Sequence, residues 1–251
     1  MKVLFLYPLW TGEYKFLPRY FAKNYGGAYI PYNLAILAAI AENEGHEAKV
    51  IDAELEKISL KDTIPLVKEY NPDVIALTGM TPFFNVVKEA AILLRENNIR
   101  AKICVGGPHV TIMEEKVLIK EFDYAFVGAG EEPWKKFLNV LDANGALSDV
   151  PGLIYRDENN SIKKNDRTYT NKNLDIYPRP AYHLFKMGEY KLGTLKGRLP
   201  FTSIQTVRGC PWKCIFCASE QLETTKILKR SISTIVDEIE EIANTYGVRH
   251  F

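Results

Sequence analysis

Five short apolar runs, separated by stretches of helical length, constrain the fold of this chain more than any other feature. They occupy residues 3–7, 48–51, 74–78, 103–105 and 124–127. Each has the length and the Val, Ile, Leu and aromatic content of a strand buried on both faces. The segments between them carry helix punctuation. Pro31 opens one, Leu34, Leu37 and Ala41 share a face, and Gly45 closes it. Thr81 and Pro82 read as N-cap and first-turn proline of another, with Val87, Ala91 and Leu94 following at helical spacing. This alternation predicts an α/β fold, a doubly wound five-stranded parallel sheet over residues 1–141.

In such sheets ligands bind beyond the carboxyl ends of the strands, so the residues just after each run are the informative ones. Pro8, Leu9 and Trp10 follow the first run, and Thr78, Gly79, Met80 and Thr81 close the third. Gly106, Gly107, Pro108, His109, Val110 and Thr111 follow the fourth, and Gly128, Ala129, Gly130 and Glu131 the fifth. Glycine lets backbone approach a ligand closely and leaves N–H groups exposed. Together these loops predict a ligand site, with His109 as a ligand contact or a loop-stabilising hydrogen bonder. No G-x-G-x-x-G follows the first strand, which argues against a dinucleotide. His46 falls at the opposite edge and reads as structural. Cys104 lies inside the fourth strand and reads as a small buried hydrophobe.

After Leu141 the alternation stops. Residues 150–163 read as a small hairpin with an Asn-rich turn. Pro178 and Pro180 flank Arg179 and hold an extended strap. Residues 142–200 are therefore expected to be a hairpin and proline-rich linker. His183 has no partner that the sequence reveals, so a surface or packing role is expected.

The strongest chemical signal is Cys210, Cys214 and Cys217, spaced Cys-x3-Cys-x2-Cys in the loop after a strand at 204–207. Crowded cysteines make a poor disulfide framework and point to metal. A closed zinc site wants four ligands, and neither His250 nor His183 has finger-like spacing to complete one. Three thiolates suit an iron–sulfur cluster with one iron left open to a substrate or cofactor. Zinc and a reactive or disulfide-forming thiol are the less favoured chemistries. Hydrophobic residues at 47% and charged residues at 25% exclude a disordered chain. With 32 Lys and Arg against 31 Asp and Glu, nothing favours nucleic acid as a partner. No apolar run reaches the roughly 18 residues of a membrane span, and the short N-terminal run lacks a signal-peptide cleavage site. The expected compartment is the cytoplasm.

The segment from Arg208 and Gly209 through the cysteines, with Phe216 before the last one, resembles the radical S-adenosylmethionine superfamily. The resemblance implies that Cys210, Cys214 and Cys217 hold a [4Fe–4S] cluster. It implies that S-adenosylmethionine chelates the fourth iron and is cleaved to a 5′-deoxyadenosyl radical, with Phe216 near the adenine. It also implies an external electron donor such as flavodoxin or ferredoxin. The N-terminal half resembles the flavodoxin-like cobalamin-binding domain that precedes many such enzymes. Thr78, Gly79 and Thr81, Gly106, Gly107, His109 and Thr111, and Gly128, Gly130 and Glu131 carry that likeness, and they become the expected cofactor contacts. The strap at 178–182 also looks like that family's linker.

Two departures stand out. The Asp-x-His-x-x-Gly of methionine-synthase-type domains is missing, since His46 has no glycine three residues on. The resemblance then implies a cobalt without a histidine ligand. The fifth loop reads Gly-Ala-Gly-Glu where the family often has Gly-Glu-Gly-Glu, which removes any carboxylate role at position 129.

Ser231 and Ser233 offer N-caps to a helix in which Ile235, Ile239 and Ile242 share a face, with Asp237 and Glu238 placed for its dipole and Gly247 at its end. Residues 248–251 resemble the start of a further strand. Residues 201–251 are thus expected to be the incomplete N-terminal part of a partial (β/α) radical barrel, in a chain that is a portion of a longer enzyme and inactive alone. The expected reaction is methyl transfer to an unactivated carbon of a small-molecule substrate. Cyclisation or rearrangement is the alternative within that chemistry, and a zinc-stabilised ligand-binding module the alternative outside it. A methylthiotransferase would need a second N-terminal cysteine triad, and Cys104 stands alone there. Cofactor and cluster must both reach the substrate, so the ligand edges of the two parts are expected to face each other.

Overall fold

The computed structural model describes residues 1–10, 28–167, 173–191, 200–222 and 224–251. Strands β1 (Lys2–Tyr7), β2 (Glu47–Asp52), β3 (Val74–Thr78), β4 (Lys102–Gly106) and β5 (Tyr124–Phe126) pair in parallel in the order β2-β1-β3-β4-β5. The pleat sends alternate residues to opposite faces. Leu4, Leu6, Ile75, Leu77, Ile103 and Val105 meet one helical layer, while Val3, Phe5, Val74, Ala76 and Cys104 meet the other. The first layer holds α3 (Leu60–Tyr70) and α4 (Phe84–Glu96), and the second holds α1 (Tyr32–Asn43) and α6 (Glu131–Asp142). Two shorter helices, α2 (Ala53–Glu56) and α5 (Pro108–Met113), follow β2 and β4. The doubly wound sheet expected from the apolar runs is present.

Local punctuation explains most helix ends. Pro31 precedes α1 and Gly45, at φ +85°, follows it. Ser59 accepts the Asp62 N–H at the start of α3, and Asn71 ends it in the left-handed region. Thr81 does not cap α4 as the sequence suggests. It opens a separate 3₁₀ turn, Thr81–Phe83, without a capping bond, because its hydroxyl lies 3.1 Å from Nδ1 of His109. Val87, Ala91 and Leu94 are buried as their spacing requires.

The hairpin β6 (Leu153–Arg156) and β7 (Ile162–Lys164) does not belong to a mere connection. It pairs antiparallel on β5 and widens the sheet to seven strands. The edge of β5 offers unpaired backbone groups, and the hairpin satisfies them. Arg156 fastens it by donating to the Leu118 and Phe122 carbonyls at 2.6 and 3.2 Å. Asp157 holds the turn by accepting the N–H groups of Asn159 and Ser161. Residues 168–172 and 192–199 of the expected linker lie outside the described residues. The described remainder is packed. Tyr182, Phe185, Met187 and Tyr190 form a third apolar cluster with Ala35 of α1 and with Ile242 and Val248. His183 does find a partner, Glu42, at 2.9 Å.

The cysteine segment lies between two short strands, β8 (Val207–Arg208) and β9 (Leu228–Lys229), which pair antiparallel. The strand expected at 204–207 shrinks because only Val207 and Arg208 find ladder partners. Gln205 instead gives its carbonyl to Arg230 at 3.2 Å and its side-chain oxygen to Arg208 at 3.0 Å. A one-turn helix, α7 (Ser219–Leu222), follows the cysteines, and α8 (Ile232–Tyr246) follows β9. Ser231 caps α8 and Gly247 ends it at φ +67°. Phe201 makes a parallel bridge to His250 across this helix, the pairing a strand–helix–strand unit produces. Glu238 does not serve the helix dipole from the surface. It is fully buried, 2.5 Å from Arg230 and accepting the Tyr182 hydroxyl at 2.5 Å, because it shares the inner face with Ile242. Among the described residues, no helix is long and apolar enough to cross a membrane.

Candidate functional site

At the carboxyl ends of β3, β4 and β5 a cavity of about 170 Å³ opens between the sheet, α1 and α6. Thr78, Gly106, Gly107, Thr111, Gly128, Gly130 and Glu131 line it as the sequence predicts, whereas Gly79, Thr81 and His109 stand outside its lining. Any side chain at Gly107 would be strained. Its φ is +101°, and a Cβ there would come within 2.6 Å of Thr78 Oγ1 and 3.0 Å of the Gly79 carbonyl oxygen. Thr111 is nearly buried, and its hydroxyl accepts the Gly128 N–H at 3.0 Å, tying the fourth loop to the fifth. His109 donates its backbone N–H to Gly79 at 3.2 Å, stacks on Phe84 and pairs with Thr81. Burial, with Lys88 nearby, lowers its pKa. Its position is that of a loop stabiliser at the rim.

The floor of the cavity was not legible in the loops. Leu37 of α1, Ala76, Cys104 and Phe126 of the sheet and Trp134 of α6 make it apolar. Trp134 is fixed by donating Nε1–H to the Leu37 carbonyl at 3.1 Å and by edge contacts with Phe5 and Phe126. Burial raises the Cys104 thiol well above its usual range, so it stays neutral there. The signal for these residues was the small side chains at positions 76 and 104, where a larger strand residue would fill the space.

Cys210 is half-buried, while Cys214 and Cys217 are exposed, all three with free thiols. Cys210 donates its N–H to the Thr224 carbonyl at 3.1 Å, and Cys217 donates its own to the Cys214 carbonyl at 3.0 Å, which closes a turn over the last two cysteines. The Ser219 hydroxyl lies 3.0 Å from Cys217 Sγ, and hydrogen bonds from Ser219 lower that thiol's pKa. A lowered thiol pKa favours the thiolate that ligates metal. Among the described residues no three His, Cys, Asp or Glu side chains group as ligands of a single ion. Three thiolates suit a cluster with one open iron better than the four-ligand closed site that structural zinc takes. Phe216 is 90% exposed beside the last cysteine, so it is not buried as loop core.

The cysteine segment abuts the cavity. Gln205, Arg208 and Leu222 complete its lining from that side. Arg208 donates through both terminal nitrogens to the two carboxylate oxygens of Glu131, one at 3.0 Å, and both side chains are almost buried. On the other flank Arg167 donates to the Thr111 carbonyl at 3.0 Å, to Gln221 of α7 at 3.0 Å and to Glu114 at 3.2 Å. The two ligand edges therefore face each other. The apolar slot and the glycine loops at its mouth fit a cobalamin.

Comparison with known proteins agrees. A family model described as B12 binding domain matches residues 18–138, of which 28–138 are described. An uncharacterized methyltransferase from Pyrococcus horikoshii is 28% identical over 222 residues, covering 87% of this chain. The anaerobic magnesium-protoporphyrin IX monomethyl ester cyclase of Cereibacter sphaeroides is 25% identical over 257 residues and 100% of this chain. These likenesses support a B12 binding domain over residues 18–138 and a resemblance to cobalamin-dependent radical S-adenosylmethionine enzymes. The fold of this chain is also seen in the radical S-adenosylmethionine methyltransferase TsrM from Kitasatospora setae, at TM-score 0.72 and 19% identity over 99% of this chain and 46% of that one. The chain spans 47% and 40% of the lengths of the Pyrococcus and Cereibacter relatives.

Proposed function

We propose that the protein is a cobalamin-dependent radical S-adenosylmethionine enzyme that methylates an unactivated carbon of a small-molecule substrate. The observation that carries this reading is the meeting of the cysteine segment and the glycine-lined crevice at one edge, joined by Arg208 and Glu131. When bound, the cluster with S-adenosylmethionine supplies a hydrogen-abstracting carbon radical, and cobalamin supplies the methyl group. Cys210, Cys214 and Cys217 would hold the cluster. The residues around Gly107, Gly128 and Trp134 would hold the cobalamin, with the apolar floor excluding water. Cys214 and Cys217 are exposed, which suits electron delivery by an external donor such as flavodoxin or ferredoxin. The methyltransferase names of the Pyrococcus and Kitasatospora proteins support the methylation arm.

The test is a titration of hydroxocobalamin into anaerobically purified, cluster-reconstituted protein. Stoichiometric retention through gel filtration, with a spectrum free of histidine ligation, is the expected result. A folded protein that retains no cobalamin overturns the reading and leaves the crevice to another ligand. Because the Cereibacter cyclase matches the whole chain, a non-methylating radical reaction is the second reading. Transfer of labelled methyl from S-adenosylmethionine to a product separates the two.

A further inference from the structure

Glu131 stands among the expected cofactor contacts, yet both of its carboxylate oxygens are occupied by one guanidinium. The side chains of Arg208 and Glu131 are 11% and 7% exposed, so little water competes for the pair. Glu131 is the first residue of α6, where the positive end of the helix dipole also favours its charge. The forked guanidinium fixes direction as well as distance, which a lysine cannot do.

The position of the two residues in the chain gives this pair its meaning. Glu131 directly follows the fifth loop, whose Gly128 and Gly130 line the crevice. Arg208 directly precedes Gly209 and Cys210. The peptide between them is not free to absorb a displacement. Gly209 has φ +95°, and a Cβ there would overlap the Lys226 carbonyl oxygen. Cys210 is held by its N–H to the Thr224 carbonyl at 3.1 Å. Gln205 supports the guanidinium from behind at 3.0 Å, and its own carbonyl accepts from Arg230. A shift of Arg208 is therefore transmitted to Cys210, and a shift of Glu131 to the crevice mouth.

We propose that Arg208 is a positioning residue: its bidentate pair with Glu131 sets the distance and orientation of the cysteine triad relative to the glycine crevice. Neither residue needs to touch a cofactor in this role. The inference rests on the reading that the triad holds a cluster and the crevice a cobalamin.

Two variants test it in the full-length protein. Arg208→Lys keeps the charge and loses the fork, and Glu131→Gln keeps the shape and loses the charge. Iron, sulfide and cobalamin contents are measured first. The magnetic coupling between reduced cluster and cob(II)alamin is then read by electron paramagnetic resonance. Amide exchange over 209–217 is followed in parallel in cofactor-free protein. The expected result is near-wild-type cofactor content, at least a tenfold rise in exchange at 209–217 and a severalfold weaker, broadened coupling. A purely stabilising pair would lower the melting temperature and leave the coupling intact. Wild-type coupling in Arg208→Lys overturns the proposal, whatever its stability or exchange. Loss of cobalamin alone in both variants also overturns it and makes Glu131 a cofactor contact. If Glu131→Gln does not fold, Arg208→Lys decides. If the unmodified protein retains no cobalamin or no cluster, it is the proposed function that fails, and the exchange experiment still reports whether Arg208 holds the cysteine segment.

Discussion

At the scale of single residues, the crevice depends on backbone geometry that few side chains tolerate. Gly107→Ala forces a Cβ against Thr78 at a left-handed φ, and strain of this kind costs about 1–3 kcal/mol. Urea unfolding should report that loss, together with weakened cobalamin retention. An unchanged midpoint and full retention would show that the loop relaxes around the methyl group. Cys217→Ala removes the thiol that Ser219 supports, and iron and sulfide in the reconstituted protein should fall to background. A brown chromophore surviving that change would mean that Cys217 is not a ligand. His46 shows how a residue read as structural becomes measurable. It is buried against the N-terminal amine, with Asp142 3.6 Å from Nε2. Desolvation lowers its pKa below 6.5, outweighing Asp142. The native state therefore binds fewer protons than the unfolded state in that window. Its contribution to stability is present above about pH 6.5 and is lost as pH falls toward the lowered value. His46→Gln should flatten this part of the stability profile, and an identical slope in both proteins would refute the assignment.

At the scale of elements, the sequence marks the strands of the first half well. Each buried strand is an unbroken apolar run, and each connecting helix has a face that the sheet must cover. Pro31, Ser231 and Gly247 act where the sequence places them, and Ser59 adds a cap to α3. Elements failed to be legible where a side chain is drawn into a tertiary contact. Thr81 gives its hydroxyl to His109 instead of a helix end. Gln205 turns its carbonyl to Arg230, so the strand expected at 204–207 keeps only its last residue and extends to Arg208. The hairpin is readable from its turn residues, but its docking on β5 is not, because edge pairing depends on which backbone is left open. For α8 the cap is a local device. Ser231→Ala should cost about 1 kcal/mol, measurable as a shift in the denaturation midpoint without loss of cofactor.

At the scale of the whole molecule, a polar seam joins sheet, linker and cysteine segment. Glu131, Arg208, Gln205, Arg230, Glu238 and Tyr182 follow one another by hydrogen bond or ion pair. Burial pushes the Tyr32 phenol beside this seam up to about 12, with Glu238 adding to it and Arg230 opposing. Arg230→Met would leave the fully buried Glu238 carboxylate without its cation. Breaking a buried pair from one side costs about 3–5 kcal/mol. Adding Glu238→Gln should recover part of that loss, and a double variant no better than the single one would show that the pair carries little coupling.

The sequence by itself determined the parallel sheet, the order of its loops and the close spacing of Cys210, Cys214 and Cys217, because apolar periodicity and cysteine spacing are local properties of the chain. It did not determine which loop residues face the cavity, that Cys104 and Trp134 form its floor, or that Glu131 is held by Arg208. Those depend on contacts between residues as much as 97 positions apart, such as Trp134 with Leu37. Only the packed structure decides them, since a side chain's partner is chosen by which groups folding leaves buried together.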